Sequence, residues 1–324
     1  MKTRILSGLI MAPLLILIFL GGYFLLVGAF VISFVALREF YGAFKGDHPV
    51  SSAATQRWSG NEGNNGAAAW VGYFCLVVLY LWFVFVQIFT PLLFGTDSAD
   101  TVFEGSADLL GVSAQVPMFW VFLVLILGFV SSFRMGKMNI TQVLATMIGP
   151  LYIVFMAAHV YMTDSFHATA MDASPAAWYS GFDSFVWLII LGAFGTDIFA
   201  YFTGMAIGKH KLCPSISPKK TIEGSIGGIV GSMGLTLLYS HFLIPEITLA
   251  DALILGALMG VVSQLGDLSA SVLKRNLDVK DWGHLIPGHG GVLDRIDSVL
   301  FTAPLVYYYF EIKWSVFGNL LFAF

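Results

Sequence analysis

The chain has 324 residues, of which 57% are hydrophobic and 11% charged, and its formal net charge is −4. An average soluble domain carries about 25% charged residues, so the composition excludes a soluble globular domain, a disordered chain and a nucleic-acid-binding protein with a basic surface. The apolar runs are continuous and do not alternate with polar residues, which predicts an all-α polytopic membrane protein and disfavours a membrane β-barrel.

A membrane-spanning helix needs about 20 mainly apolar residues. By that criterion the sequence predicts nine spans, at residues 5–21, 23–44, 68–94, 116–133, 140–162, 182–208, 222–243, 250–273 and 292–312. The basic start of the chain is similar to a signal peptide, but no small-residue cleavage site follows a short apolar core, so we assign it to the first span. Residues 314–324 are too short to cross again and are predicted to lie at the membrane interface.

The basic residues predict the orientation, because Lys and Arg concentrate in cytoplasmic loops. With nine spans, only Lys313 falls on the opposite side from all the others. Those others are Lys2, Arg4, Arg38, Lys45, Arg57, Arg134, Lys137, Lys209, Lys211, Lys219, Lys220, Lys274, Arg275, Lys280 and Arg295. The N-terminus is therefore predicted to be cytoplasmic and the C-terminus to be outside.

The polar motifs are confined to the second half of the chain. We expect one membrane domain over residues 1–324, in which 1–179 supply spans one to five, 180–312 supply spans six to nine with the polar motifs, and 313–324 form a tail. The loops at 45–67, 95–115 and 163–181 carry no recognisable motif. Cys75 and Cys213 are too few for a disulfide framework, and we interpret them as packing residues.

The first polar motif is Asp197, which interrupts an apolar span. A carboxylate at such a depth costs about 2.5–3.5 kcal/mol on insertion scales, so it needs a partner, a cavity or a cation. Asp197, Tyr201 and Gly204 share one helical face by their spacing. We favour a functional site here over a structural hydrogen bond between helices.

The second polar motif, from Ser215 to Gly224, precedes the seventh span. Lys219 and Lys220 beside a helix N-terminus would suit a phosphate group. A basic loop that touches anionic lipid explains the same residues equally well. Glu223 could pair with one of the lysines.

The third motif is the longest and has aspartates on two spans. Ser263, Asp267, Ser271 and Lys274 share one face of span eight, and Asp294 and Asp297 share one face of span nine. Three converging carboxylates need a positive charge, which Mg²⁺ together with substrate phosphates would supply. The alternative is a structural ion-pair network with the nearby basic residues, which are Lys274, Arg275 and Arg295.

The loop before span nine is rich in glycine, and Gly290 and Gly291 would let the backbone approach a ligand closely. His289 could donate a hydrogen bond, carry a proton or stabilise the loop. Zinc is not expected, because no cysteine joins the cluster and the histidine spacing fits no common zinc site.

This third motif resembles the signature of the phosphatidate cytidylyltransferases, or CDP-diacylglycerol synthases, of the bacterial type. The match runs from Ser271 to Asp297 without a departure from the pattern. Its fixed polar positions are Ser271, Lys274-Arg275, Lys280-Asp281, His289-Gly290-Gly291, Asp294-Arg295 and Asp297. The motifs around Asp197 and Lys219 also resemble the family, so the resemblance covers roughly residues 180–312.

The resemblance implies that CTP and phosphatidic acid react to give CDP-diacylglycerol and pyrophosphate, with Mg²⁺ required and a second cation left open. It further implies a homodimer in the bacterial inner membrane with a cytoplasmic active site and no nucleic-acid partner. The implied metal ligands are Asp267 and Asp294, with Asp297 as an additional group. Lys274, Arg275 and His289 are expected in the catalytic set. The expected substrate contacts are Lys219, Lys220, Ser271, Lys280, Asp281, Gly290, Gly291, Arg295, Asp197 and Tyr201.

Two other functions remain open at this stage. An ion or solute transporter could use the intramembrane residues Asp197 and Asp267. A CTP-dependent lipid kinase that acts on a polyprenol-type alcohol would use similar equipment but would release CDP instead of pyrophosphate.

Overall fold

The fold is a helical bundle with one short β-hairpin. It was obtained as a computed structural model, which describes residues 16–45, 67–94, 117–133, 140–170, 185–244, 247–286 and 290–313. The helices before the hairpin are α1 (Gly22–Lys45), α2 (Ala69–Phe94), α3 (Pro117–Phe133), α4 and α5 (Val186–Ile207). Helix α4 consists of α-helical Ile140–Gly149, a π-helical segment Pro150–Phe155 and α-helical Met156–Ala170. The strands are β1 (Lys211–Cys213) and β2 (Ser217–Thr221), and α6 (Ile222–Leu243), α7 (Leu249–Asn276) and α8 (Leu293–Ile312) follow.

Six of the described helices are long and apolar enough to cross a membrane, namely those that contain Gly22–Phe44, Ala69–Val86, Ile140–Asp164, Val186–Ile207, Ile222–Leu243 and Leu249–Asn276. They coincide with six of the predicted spans, which confirms an all-α integral membrane protein. Helix α3 is shorter, and α8 carries several charged side chains. Most of the first predicted span lies outside the described residues, as do the tail 314–324 and most of the three long loops.

The outer surface of the bundle is apolar, as a lipid environment requires. Large hydrophobic side chains such as Phe202, Met205, Val230 and Phe242 are exposed on α5 and α6. Polar side chains, among them Thr196, Ser263 and Asp297, are buried between helices. Because lipid offers no hydrogen bonds, polar groups in a membrane protein are expected to face the bundle interior.

The last four helices pack around each other, with α6 between α5 and α7, and α8 against α7, α5 and the final part of α4. Small residues bring α7 close to α6. A side chain at Gly256 would lie 2.6 Å from the Met233 Cα, and one at Gly260 would lie 2.7 Å from the Ile229 Cα. These two glycines therefore allow α6 and α7 to pack in close contact.

The segment before α6 is a β-hairpin, which the sequence did not predict. Lys211 pairs with Thr221 and Cys213 with Ser217, so Lys219 and Lys220 lie on strand β2 and not in a helical turn. The Thr221 hydroxyl caps α6 by accepting a hydrogen bond from the Gly224 N–H at 3.1 Å. The hairpin thus fixes where Lys219 and Lys220 emerge relative to the membrane-spanning helices.

Glu223 does not pair with a lysine side chain. Its carboxylate accepts a hydrogen bond from the Lys209 N–H at 3.0 Å and contacts the His210 ring nitrogen Nδ1 at 2.6 Å. The hairpin places the chain before β1 beside the first turn of α6, where a carboxylate also interacts favourably with the helix dipole.

The loop between α7 and α8 folds back onto the bundle. The Ile286 N–H donates to the Gly290 carbonyl at 3.0 Å, which closes the loop on itself. Trp282 is fully buried and its ring packs on Phe40 of α1, with 5.5 Å between ring centroids. This loop is therefore anchored to a helix from the N-terminal half of the chain.

Candidate active site

Asp294, in the first turn of α8, is held by the most donors. One carboxylate oxygen contacts the Lys274 ammonium at 2.7 Å, and the other accepts backbone N–H groups of Trp282 at 2.8 Å and Gly291 at 2.9 Å. Its side chain is 3% exposed. A buried carboxylate needs such compensation, because a charge left unpaired in the interior is very unfavourable. Asp294 therefore ties α7, the following loop and α8 together.

Asp267, one helix away, is paired with a lysine of the hairpin. Its carboxylate forms an ion pair with Lys220 and accepts a hydrogen bond from the Ser271 hydroxyl at 3.4 Å. The predicted face of α7 is confirmed for Asp267, Ser271 and Lys274, since the first two touch each other and Lys274 reaches Asp294. The hairpin position of Lys220 is what brings it to this face.

Asp197 and Asp297 meet through a shared hydroxyl. The Ser298 side chain lies 3.4 Å from an Asp197 carboxylate oxygen and 3.5 Å from an Asp297 oxygen, and the Ser298 N–H donates to Asp297 at 2.8 Å. The negative charge of Asp267 acts on both Asp197 and Asp297. Helices α5, α7 and α8 thus each contribute at least one carboxylate to a common region.

The positive groups around this region come from three different segments. Lys220 pairs with Asp267, and its positive charge also stabilises the charged form of Asp197. Lys274 pairs with Asp294 and has the same electrostatic effect on Asp297. Arg295 has this effect on Asp197. The Arg295 Nε is buried and has no hydrogen-bond partner among the residues that the structure describes. The arrangement is a buried acidic centre whose cations are flexible side chains.

The glycine-rich loop also reaches this centre. Gly290 has a positive φ of 81°, and a side chain there would lie 2.9 Å from Asp294 and 3.3 Å from the Cβ of Asp281. The backbone at Gly290 therefore lies close to Asp294 and Asp281, and the Gly291 N–H donates a hydrogen bond to Asp294.

Several predicted site residues are not brought into the centre. Lys219, Arg275 and Lys280 are exposed. Tyr201 is 65% exposed, and its ring contacts only the neighbouring Phe202 among the described rings, so it does not join Asp197. Tyr201 lies one turn beyond Asp197 on α5, and at that level its side chain is not covered by α8. His289 lies outside the described residues.

Two residues near the site come from spans that the sequence left without a role. Glu39 of α1 accepts the backbone N–H groups of Val292 at 3.0 Å and Leu293 at 2.8 Å, at the N-terminus of α8. Tyr152, in the π-helical segment of α4, has its hydroxyl within the electrostatic range of Asp267, Asp294 and Asp297. An acidic or aromatic residue in an otherwise apolar span was the only sequence signal for either residue.

No group of three His, Cys, Asp or Glu side chains in the described part of the chain is close enough to hold one metal ion. The chemistry of the donors nevertheless suits a divalent cation, since the centre consists of carboxylates and hydroxyls, the oxygen ligands that Mg²⁺ prefers. The ammonium groups of Lys220 and Lys274 lie on Asp267 and Asp294, where they supply the positive charge that a cation would supply.

This combination of groups is suited to handling phosphates. Carboxylates can hold a cation, two lysines can turn towards phosphate oxygens, and a glycine-rich loop brings its backbone close to Asp294. Phosphoryl and nucleotidyl transfer depend mainly on positioning and charge neutralisation, which such a centre can provide.

Comparisons with known proteins agree with this chemistry. The chain is 49% identical over 124 residues to the phosphatidate cytidylyltransferase of Synechocystis sp., which covers 38% of this chain and 42% of that protein. It is 48% identical over 113 residues to the Bacillus subtilis phosphatidate cytidylyltransferase, over 35% of this chain and 42% of the relative. It is 33% identical over 230 residues to the chloroplastic phosphatidate cytidylyltransferase 4 of Arabidopsis thaliana, over 67% of this chain and 56% of that protein.

The chain thus aligns with about half of the length of these relatives or less. A wider match comes from the family itself, because the sequence model of the cytidylyltransferase family matches residues 2–313, nearly the whole chain. The chain therefore belongs to the cytidylyltransferase family.

Proposed function

We propose that this protein is a phosphatidate cytidylyltransferase, which makes CDP-diacylglycerol and pyrophosphate from CTP and phosphatidic acid. The observation that carries the proposal is the meeting of carboxylates from α5, α7 and α8 with Lys220 and Lys274 inside an apolar bundle. Family membership and the names of the relatives support the same reaction.

In this reaction an oxygen of the phosphatidate phosphate attacks the α-phosphorus of CTP. A new oxygen–phosphorus bond forms, the bond between the α-phosphorus and the bridging oxygen to the β-phosphate breaks, and pyrophosphate leaves. The lipid phosphate is already largely ionised near pH 7, so no strong general base is required. The protein's task is to position two anionic substrates and to neutralise their charge.

Lys220 and Lys274 would carry much of that neutralisation. Each has a flexible side chain whose ammonium group is paired with one carboxylate in this structure. When polyphosphate binds, each ammonium group would turn from its carboxylate to a phosphate oxygen. Asp267 and Asp294, with Asp297 beside them, would then hold Mg²⁺, whose role is to neutralise the phosphates, and a second cation would find further oxygens nearby.

The remaining predicted residues would act from the periphery of the centre. Ser271 orients Asp267, and Asp281, Gly290 and Gly291 form the wall of the loop beside Asp294. Lys219, Arg275 and Lys280 are exposed basic residues that would attract CTP and the leaving pyrophosphate. We assign Arg295 to charge neutralisation near Asp197, and we keep His289 as a catalytic candidate.

The topology proposal places the site at the cytoplasmic face, where CTP is available. We propose nine spans in one domain over residues 1–324, with the N-terminus inside, the C-terminus outside and residues 313–324 at the interface. Spans one to five would form the N-terminal part, and residues 180–312 the catalytic part. A homodimer in a bacterial-type inner membrane is the expected assembly.

The direct test is to incubate the purified full-length protein with labelled CTP, phosphatidic acid in mixed micelles and Mg²⁺. We expect equal amounts of CDP-diacylglycerol and pyrophosphate. Release of CDP with a phosphorylated alcohol as the other product would identify a lipid kinase instead. Ion flux in liposomes without CTP, together with no labelled lipid product, would identify a transporter.

A further inference from the structure

Tyr152 is a buried phenol without a hydrogen-bond partner beside the acidic centre. It is 7% exposed, and its ring packs edge-on against Phe301 of α8 with 6.1 Å between ring centroids. Its hydroxyl oxygen is buried, and no described group donates to it or accepts from it. Since buried polar groups are nearly always hydrogen-bonded, this hydroxyl indicates a partner that the described residues do not provide.

The surroundings of the hydroxyl indicate what kind of partner is missing. The charges of Asp297, Asp267 and Asp294 all act on it. The Tyr152 ring packs against Phe301, and Phe301 also lies beside Gly266, the residue before Asp267. Yet these carboxylates already have other donors, from Lys220, Lys274, Ser298 and backbone N–H groups. The Tyr152 hydroxyl is therefore an unused hydrogen-bond donor near these carboxylates, where a ligand could accept from it.

The local backbone explains how Tyr152 reaches this place. It lies in the π-helical segment Pro150–Phe155, between two α-helical parts of the same membrane-spanning helix. A π-helical turn contains an additional residue, which rotates the following side chains relative to a regular α-helix, and such segments are frequent at functional sites. The N-terminal half of the chain thus contributes a side chain to a centre built by α5, α7 and α8.

We propose that the Tyr152 hydroxyl binds substrate by donating a hydrogen bond to a phosphate oxygen. The inference rests on the proposed function and names a further substrate-binding residue for it. A phosphate oxygen is a strong acceptor, and a neutral donor can approach it among carboxylates without adding negative charge. The phosphate belongs either to the nucleotide or to the lipid, which share this chemistry.

The test is Tyr152→Phe, which removes one oxygen atom and leaves the packing against Phe301. A hydrogen bond to a charged group is worth enough that kcat/KM for the substrate concerned should fall about 10- to 100-fold. The matched control is Tyr80→Phe, which also removes a buried phenol oxygen, bonded to Ser33 at 3.4 Å and remote from the acidic centre. Tyr80→Phe should retain kcat/KM within about 3-fold of the wild-type value.

Two titrations separate the two sources of phosphate. In the first, CTP is varied at saturating phosphatidic acid, and in the second, phosphatidic acid is varied at saturating CTP. Equilibrium binding of labelled CTP without lipid gives a readout that does not depend on turnover. A loss in the CTP arms assigns the contact to the nucleotide, and a loss confined to the lipid arm assigns it to phosphatidic acid.

Two results would overturn the inference. One is a Tyr152→Phe enzyme with kcat/KM within about 3-fold of the wild type for both substrates. The other is a loss that disappears at high Mg²⁺, because the hydroxyl would then act on the carboxylates and not on phosphate. If the wild-type protein itself forms no CDP-diacylglycerol, it is the proposed function that fails, which is a distinguishable outcome.

Discussion

The aspartates of the acidic centre carry identical side chains, but their charges are balanced in different ways. Asp294 has a lysine and two backbone donors, Asp267 has a lysine and a serine, and Asp197 and Asp297 share one serine hydroxyl. The backbone donors fix Asp294 in place, whereas Asp267 depends on flexible side chains. Asp294 is thus fixed in position by the backbone. In the proposed reaction, Asp267 would exchange its partner Lys220 when substrate binds.

Glu39 stabilises the centre without belonging to it. Its two carboxylate oxygens each accept one backbone N–H, from Val292 and Leu293, where α8 leaves unsatisfied donors and a positive dipole end. This contact links α1 to the turn that carries Asp294. We interpret Glu39 as a positioning residue for the start of α8.

Glu39→Gln tests this role. The amide keeps one acceptor oxygen but turns its NH₂ group towards the second backbone donor, so one N–H loses its partner at a cost of about 1–3 kcal/mol. We expect a lower melting temperature in detergent and a loss of kcat of about 3- to 30-fold, with KM for CTP little changed. The measurement is thermal unfolding together with steady-state kinetics.

The control for this variant is Glu311→Gln, which makes the same substitution at the far end of the same helix α8. It should leave the CTP-dependent rate unchanged. A Glu39→Gln protein with wild-type melting temperature and wild-type kcat would show that the contact does not position α8.

For individual residues, the sequence predicted the charged side chains that belong to a motif and missed site residues that lie outside one. Asp267, Ser271, Lys274 and Asp294 were predicted together, and the structure brings them into contact as predicted. Glu39 and Tyr152 were missed, because the position of one polar residue in an apolar span does not indicate which distant helix it faces. Tyr201 was predicted in the centre from its spacing to Asp197 on α5, but spacing alone does not show which turns of a helix its neighbours cover.

Among the elements, the contact between α7 and α8 determines how close the carboxylates come. Gly266 precedes Asp267, and a side chain there would lie 2.7 Å from the Asp297 carbonyl oxygen and 3.1 Å from Phe301. Backbone cannot yield as a flexible side chain can, so only glycine allows this approach. Gly266 therefore contributes to the position of Asp267 relative to α8.

Gly266→Ala should separate α7 from α8. We expect at least a 10-fold loss of CDP-diacylglycerol formation, because a displacement of about 1 Å in a catalytic group can cost about 100-fold in rate. The melting temperature should also fall, since the new methyl group overpacks the contact by about 1–3 kcal/mol. Both quantities are measured on protein purified in the same detergent.

Gly234→Ala is the matched control, because a side chain at Gly234 on α6 would meet nothing within 4 Å. There the change should be neutral or should stabilise the helix by up to about 1 kcal/mol. Equal behaviour of the two alanine variants would mean that the glycine contact at 266 does not set the site geometry.

The elements themselves were predictable to different degrees. Long apolar runs identify membrane helices, and six of the predicted spans are confirmed. The hairpin was not predicted, since β1 has three residues and β2 has five, which is too short for a recognisable alternation. The π-helical segment in α4 has no sequence signature beyond Pro150, which does not by itself distinguish it from an ordinary kink.

For the whole molecule, the distribution of charge implies a defined orientation. Lys and Arg lie on one side of the predicted topology and acidic residues dominate the other. The hairpin with Lys211, Lys219 and Lys220 and the loop with Lys280 are both predicted on the basic side. If this proposed topology is right, the acidic centre is at the end of the bundle that faces the cytoplasm.

Cysteine labelling tests this orientation. Lys211→Cys, in a background where Cys75 and Cys213 are replaced by alanine, should react with a membrane-impermeant maleimide in inside-out vesicles only. Asp108→Cys, in the predicted outer connection, should react in right-side-out vesicles only. Labelling of both positions from the same side would contradict the proposed nine-span topology.

We propose that Asp267 of α7 and Asp294 of α8 act together in metal-assisted nucleotidyl transfer. The most direct measurement is the initial rate of CDP-diacylglycerol formation for Asp267→Asn and Asp294→Asn, with the Mg²⁺ concentration varied. Glu311→Gln removes a carboxylate charge from the far end of α8 and serves as the control. We predict a loss of at least 100-fold for each site variant that added Mg²⁺ does not restore, with the control near the wild type. Turnover within about 3-fold of the wild type in either folded site variant would contradict the account.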